Sequence, residues 1–394
     1  MIEKEYDVLV VGAGPGGSSA AKACAEAGLK VLVVEKRQEI GSPKRCAEGV
    51  SSSSVRRMGI ELEPGLIAQT IHGTRAFAPN GKCVRVDYQG PEGWVIERKV
   101  FDKWLAAQAA RAGARVLAKT EAVAFSRENG HVKVKLRHQE QEYETTCKVL
   151  IAADGVESRV ARSLGLDTTN KLVDICSCAQ FEMANIKIEP HLIDFFFDQE
   201  RFPGAYGWIF PKGPDRANVG LGVRKPWAKK TAYHYLLDFV ATHPGLKGGS
   251  ILEVNAGGVP VGGLLENMVA DNLLVAGDAA HQVNPIHGGG IAEAYVGGRL
   301  AGQVAAEAIK AGDLSQKFLS RYNKLWWEER GNKLNKIVKL RTVAESLNND
   351  ELNWLAEYLQ GADLIELCRG GGLAGLAKLL MKKPRLMGLA RKLL

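Results

Sequence analysis

Between Tyr6 and Val11 the chain is apolar and rich in valine. A glycine cluster follows, then an alanine-rich stretch over 18–28 and a second apolar run over 30–35. This order predicts strand, turn, helix and strand, the opening of a parallel α/β sheet. Residues 41–54 turn to Gly, Ser, Pro and charge, which reads as a long loop. Over 98–113 the apolar residues Phe101, Trp104, Leu105 and Ala109 keep the period of an amphipathic helix. Further strands are expected at 115–118, 132–136 and 149–153. From 171 to 258 the pattern changes to aromatic, alternating segments at 193–197, 206–210 and 218–223, the signature of an inserted antiparallel sheet. A buried-strand run returns at 272–276, and beyond Arg299 the sequence reads as helices.

Composition narrows the setting. At 394 residues the chain exceeds what one core usually holds, so two or three units are expected. The net charge of +8 favours anionic partners, either phosphates, lipid headgroups or nucleic acid. Nothing beyond charge speaks for nucleic acid, which is set aside. Seven cysteines without close-set repeating pairs, and no charged-then-apolar leader, argue for a reducing cytoplasm. No apolar run approaches the ~18 residues of a spanning helix. A cytoplasmic protein is expected, at most peripheral on the inner face of the cell membrane.

Three separated motifs carry the chemistry. Gly12, Gly14, Gly16 and Gly17 lie in G-A-G-P-G-G directly after a predicted strand and at the head of a predicted helix. Such glycines serve a tight turn, a close backbone approach to a pyrophosphate, and close helix–strand packing. The helix N-terminus then offers free N–H groups to phosphate. Glu35, ending the next strand, is placed to accept hydrogen bonds from a ribose diol. The second motif follows the buried strand at 149–153, where Asp154-Gly155 opens D-G-V-E-S-R. The third is Gly277-Asp278-Ala279-Ala280-His281, trailed by Pro285, Gly288, Gly289, Gly290 and Ile291. An Asp ending a strand can meet a ribityl or ribose hydroxyl, and a glycine run can bring amides to a ring carbonyl. Together they point to a dinucleotide-binding oxidoreductase.

The three motifs in this order resemble the FAD-dependent superfamily typified by para-hydroxybenzoate hydroxylase. The resemblance implies FAD as cofactor, with Arg98 contacting it and Ala122 touching the adenine through its backbone. It also implies a fold: a Rossmann-like α/β FAD-binding domain in two parts (1–170, with a small insert near 70–97, and 259–330), an antiparallel-sheet substrate domain over 171–258, and a helical region over 331–394. No second G-x-G-x-x-G is present, so the electron donor stays open between NAD(P)H and a ferredoxin-like carrier.

Within that superfamily, Lys44-Arg45-Cys46-Ala47-Glu48-Gly49 and Tyr206-Gly207-Trp208-Ile209-Phe210-Pro211 are similar to segments of the geranylgeranyl reductase family. The likeness covers about the first 330 residues. It implies Cys46, Ala47 and Gly49 near the flavin, Tyr206, Trp208, Phe210 and Pro211 lining a lipid cavity, and Cys46 and Tyr206 as candidate catalytic groups. The activity implied is saturation of geranylgeranyl chains, best matching the archaeal branch that acts on digeranylgeranylglycerophospholipids. Two other readings stand beside it: a flavin monooxygenase and a quinone-linked electron-transfer flavoprotein.

From spacing alone, Tyr206, Trp208 and Phe210 share one face of a strand. They are either an apolar wall for a chain or simply a core face. Cys46, beside Lys44 and Arg45, either has a lowered pKa or is an inert small residue. His281 and His287 either approach the flavin or serve structure. Cys176 and Cys178 lack a companion pair for a metal. The stretch 373–394 mixes leucines with Lys378, Lys382, Lys383, Arg385, Arg391 and Lys392, so it either lies on an anionic membrane or is a solvated helix bent at Pro384.

Overall fold

The computed structural model describes residues 2–393 apart from 91, 226, 369 and 370. Its first sheet grows from the Glu5–Val11 strand, which pairs in parallel with Val31–Val34 on one side and Gln141–Ala152 on the other. Leu273–Val275 adds in parallel beyond Gln141–Ala152, and Arg115–Leu117 beyond Val31–Val34. Val8, Leu9, Val31 to Val34, Leu150 and Leu274 are buried on both faces. That is why these strands read as unbroken apolar runs rather than alternation. Residue 273 thus lies in register with residue 150, and two distant segments form one sheet.

Helix Pro15–Glu26 crosses helix Ile291–Ala311 at close range. A Cβ on Gly298 would fall 1.9 Å from the Gly16 carbonyl oxygen, and Ser19 Oγ donates to the Tyr295 carbonyl at 2.8 Å. This packing sets the N-termini of both helices beside the same space.

The second sheet runs, in order, Ser250–Pro260, Ile175–Ala184, Ala217–Arg224, Gly207–Pro211, Leu192–Phe196, Gly73–Phe77 and Cys83–Asp87. All its pairs are antiparallel except Leu192–Phe196 with Gly73–Phe77. The sheet therefore takes in two strands from the insert near 70–97, which composition alone does not assign to it. The expected loop over 41–54 also holds order: Gly49–Ser51 pairs with Gly93–Ile96, and Ser52–Met58 is a helix capped by Ser51.

Past Gly331 the described residues form a series of helices, and their apolar side chains make a core of their own. Leu376, Leu380, Leu386, Ala390 and Leu393 pack with Leu340, Val343 and Leu347 of the Asn332–Ser346 region. The leucine face of the terminal segment is thus buried against a neighbouring helix instead of being free for a bilayer. Several of its cations are engaged as well: Lys383 lies 4.6 Å over Trp354, and Arg385 pairs with Glu351 at 2.6 Å. Residue 394 lies outside the described residues.

Candidate active site

Gly12 ends its strand at φ +101°, and a Cβ there would lie 2.3 Å from the Ala153 carbonyl oxygen. Gly14 has nothing within 4 Å of a built Cβ, so the loop presents bare backbone to open space. That space is one cavity of about 1820 Å³, lined at this end by Gly12, Gly14, Gly16, Glu35, Arg98, Ala122, Asp154 and Gly155. Gly17 is not in the lining. A Cβ on it would meet the Gly12 carbonyl oxygen at 1.8 Å, so its place is packing between strand and helix. Glu35 is already oriented, with Oε2 accepting from Ala13 N at 3.1 Å and Oε1 from Arg37 N at 3.0 Å.

Asp154 accepts from Val160 N through Oδ2, while its buried Oδ1 has no partner. Burial raises its pKa. Asp278 is pushed up to about 6 by burial, against the pull of Arg98. Arg98 is gripped by Asp102 through two bonds of 2.8 Å. Pro285, Gly288, Gly289, Gly290 and Ile291 line the cavity beside Asp278, at the start of helix Ile291–Ala311. These residues fit FAD. Two helix N-termini suit its anionic parts, the open Gly14 loop admits a pyrophosphate, and an unpartnered carboxylate oxygen awaits a hydroxyl.

Cys46, Ala47 and Gly49 line the same cavity. Cys46 Sγ accepts from Glu48 N at 3.2 Å. Its thiol is raised by burial, which outweighs the charge of nearby Arg98, so of the two readings of Cys46 the lowered pKa is the one that does not hold. The reason is where those cations go: Arg45 turns outward to Glu157 at 3.3 Å, and Lys44 is buried among Glu48, Glu182 and Asn218.

This buried ionic knot escaped sequence reasoning. Lys212 Nζ donates to Glu48 at 2.7 Å, Glu97 at 2.7 Å and Glu182 at 3.3 Å. Arg216 adds a bond to Glu182 at 3.0 Å. Burial opposes ionisation of Glu182, but the bond from Lys44 and the charges of Lys212 and Lys44 hold it down at about 2. The knot ties the 44–49 segment to the second sheet, and the other Glu48 oxygen accepts from Arg98 N at 2.7 Å. Only spatial convergence reveals it, because its members are separated by up to 174 positions.

Tyr206, Trp208 and Phe210 face the cavity as one side of the second sheet, joined by Phe195. Ring centroids are 5.8 Å apart for Tyr206–Trp208 and 5.6 Å for Phe195–Phe210. Trp208 lies over Gly220, where a Cβ would approach its ring to 2.4 Å, and donates to Gln180 Oε1 at 3.0 Å. Tyr206 Oη donates to the His287 carbonyl at 2.7 Å. Pro211 is buried but lies outside the cavity lining, one residue out of phase with Phe210, so its expected place in the lipid wall is corrected. His287 lines the cavity, whereas His281 does not and instead sits 3.2 Å from the Thr168 carbonyl. Cys176 and Cys178 Sγ atoms lie 3.8 Å apart in the lining, and among the described residues no metal-holding group exists.

Residues 5–238 match the family model of an FAD binding domain, and the cofactor of this chain is FAD, which the cradle's residues fit. The chain is 44% identical to digeranylgeranylglycerophospholipid reductase 2 of Methanopyrus kandleri, covering 99% of this chain and 100% of that one. It is 43% identical to the digeranylgeranylglycerophospholipid reductase of Methanocaldococcus jannaschii, covering 99% and 98%. Among solved structures, a geranylgeranyl bacteriochlorophyll reductase-like protein from Thermoplasma acidophilum superposes with a TM-score of 0.91 at 36% identity, over 99% of this chain and 100% of the other.

Proposed function

The chain belongs to the family of digeranylgeranylglycerophospholipid reductases, and from that premise we propose that it saturates carbon–carbon double bonds of geranylgeranyl chains in archaeal phospholipids. The observation that carries this reading is that the FAD cradle and the Tyr206–Trp208–Phe210 face open onto one cavity. At about 1820 Å³ it exceeds an ordinary small-molecule pocket of roughly 300–1,000 Å³ and has room for a dinucleotide and a long chain.

Bound and reduced, FAD supplies the hydride. The rest falls to the protein. An isolated trisubstituted alkene accepts hydride poorly, so a proton must reach the neighbouring carbon and water must be kept out. The aromatic face supplies an apolar wall. Cys46 supplies the proton in this reading, because burial keeps its thiol protonated where an exposed one begins to ionise. Tyr206, whose hydroxyl is engaged by the His287 carbonyl, orients the chain. The electrons are replaced by an external donor of the NAD(P)H or ferredoxin-like class. Among the described residues no helix is long and apolar enough to cross a membrane. A lipid substrate would bring the protein to the inner membrane face.

The test is mass spectrometry of an unsaturated digeranylgeranyl phospholipid incubated anaerobically with dithionite-reduced holoenzyme. The expected result is a mass gain in steps of two hydrogen atoms. An unchanged lipid, or an oxygenated product appearing on admission of air, would replace this reading with electron transfer or monooxygenation.

A further inference from the structure

At the far end of the second sheet from the ionic knot, two arginines meet inside the same cavity. Arg224 ends the Ala217–Arg224 strand and is only 5% exposed, and Arg341 reaches it from helix Asn332–Ser346. Both line the cavity. They share one carboxylate, Glu345, which Arg341 Nε approaches at 3.3 Å and which Arg224 Nη1 also pairs. Arg224 Nη2 donates to the Val173 carbonyl. Beyond that shared carboxylate, Nε of Arg224 and Nη1 of Arg341 are buried with no partner. Buried N–H donors of a charged group are rarely left so, because each forfeits its hydration without replacement. Burial lowers the pKa of Arg341 to about 10, helped by the charge of Arg224 and opposed by that of Asp174.

The position of this pair gives it a purpose. Arg224, Gly222 and Gly220 point to one face, with Gly222 opposite Cys178 and Gly220 opposite Trp208. At about 3.3 Å per residue, Arg224 stands roughly 13 Å from the indole along the strand. An apolar chain lying on the aromatic face would run toward two guanidiniums, each with one donor left without a partner.

We propose that Arg224 and Arg341 are the receptor for the phosphate of the lipid substrate, holding the headgroup while the chain lies along Trp208. Guanidinium forks match phosphate oxygens, and such charge-assisted bonds are the strong ones. The proposal rests on the reductase reading above, and its test separates the two.

Holoenzyme reduced with dithionite is given digeranylgeranylglyceryl phosphate or the headgroup-free digeranylgeranylglycerol, and KM is measured for each. The wild type should favour the phosphate lipid, and Arg341→Met and Arg224→Met should each cut that preference at least tenfold, about 1.4 kcal/mol, with Arg341→Lys recovering part. Flavin content and melting temperature certify that the variants are folded. In the wild type, glycerol phosphate should raise KM for the phosphate lipid, and inorganic phosphate should do so more weakly if the site is built for a lipid-borne ester. A wild type that reduces both lipids with equal KM, or folded variants that keep the preference, overturns the phosphate receptor and leaves the reductase intact. A wild type that reduces neither lipid removes the reductase reading, and the receptor with it.

Discussion

Cys46 shows how a single residue changes meaning between chain and fold. In the sequence it stands between cations and a glutamate, a setting that leaves a lowered-pKa thiol and an inert small residue both open. In the fold both cations turn to carboxylates, and burial lifts the thiol above its ordinary 9.0. A protonated thiol suits an acid. Cys46→Ala should retain FAD yet slow alkene reduction by roughly 10² or more, the usual contribution of a positioned acid. The acid works while protonated, so turnover of pre-reduced enzyme should hold through neutral pH and fall only as pH rises past the raised thiol value. A rate that already declines between pH 6 and 8, or a Cys46→Ala enzyme with unchanged turnover, would take the proton donor elsewhere.

Among elements, the crossing of Pro15–Glu26 and Ile291–Ala311 shapes the site, since it brings two helix N-termini to one cavity. The crossing depends on missing side chains: the Cβ of Gly298→Ala would press on the Gly16 carbonyl. Overpacking of this kind costs about 1–3 kcal/mol. Gly298→Ala should melt earlier and lose FAD on gel filtration, whereas Gly375→Ala, in a helix where a Cβ meets nothing within 4 Å, should be neutral or slightly stabilising. Equal melting of the two variants would mean the helices are not held by that contact. Other elements were harder to read. The Ser52–Met58 helix hid in a serine run because serine is a poor helix former, and only the buried faces of Val55 and Met58 against neighbouring chain make it pay.

At the scale of the molecule, the Lys212 knot decides how the 44–49 segment meets the second sheet. Removing one partner from a buried ion pair costs about 3–5 kcal/mol because the other charges stay buried without it. Lys212→Met should lose stability of that order in denaturant titration, and adding Glu182→Gln should restore part. A loss under about 1 kcal/mol would show the knot to be structurally idle. Its pH dependence has a definite sign. Glu182 is held at about 2 against an ordinary 4.5, so its stabilisation is complete above 4.5 and fades as pH falls toward 2. Wild type should therefore lose more stability across that window than the double variant.

The sequence by itself determined the local events: the valine-rich strands, the glycine turn and the helix after it, the resumption of the first sheet at Leu273, and the alternation that sets Tyr206, Trp208 and Phe210 on one face. These follow from short-range rules of sterics and periodicity, which leave a mark within a few residues. Tertiary structure alone decided that strands from 73–87 complete the second sheet, that Lys44 and Lys212 neutralise the same glutamates, that the terminal leucines face a helix, and that Arg224 and Arg341 end in one cavity. Those are matters of desolvation and charge between groups far apart in the chain, where the free energy depends on burial and on which partner arrives.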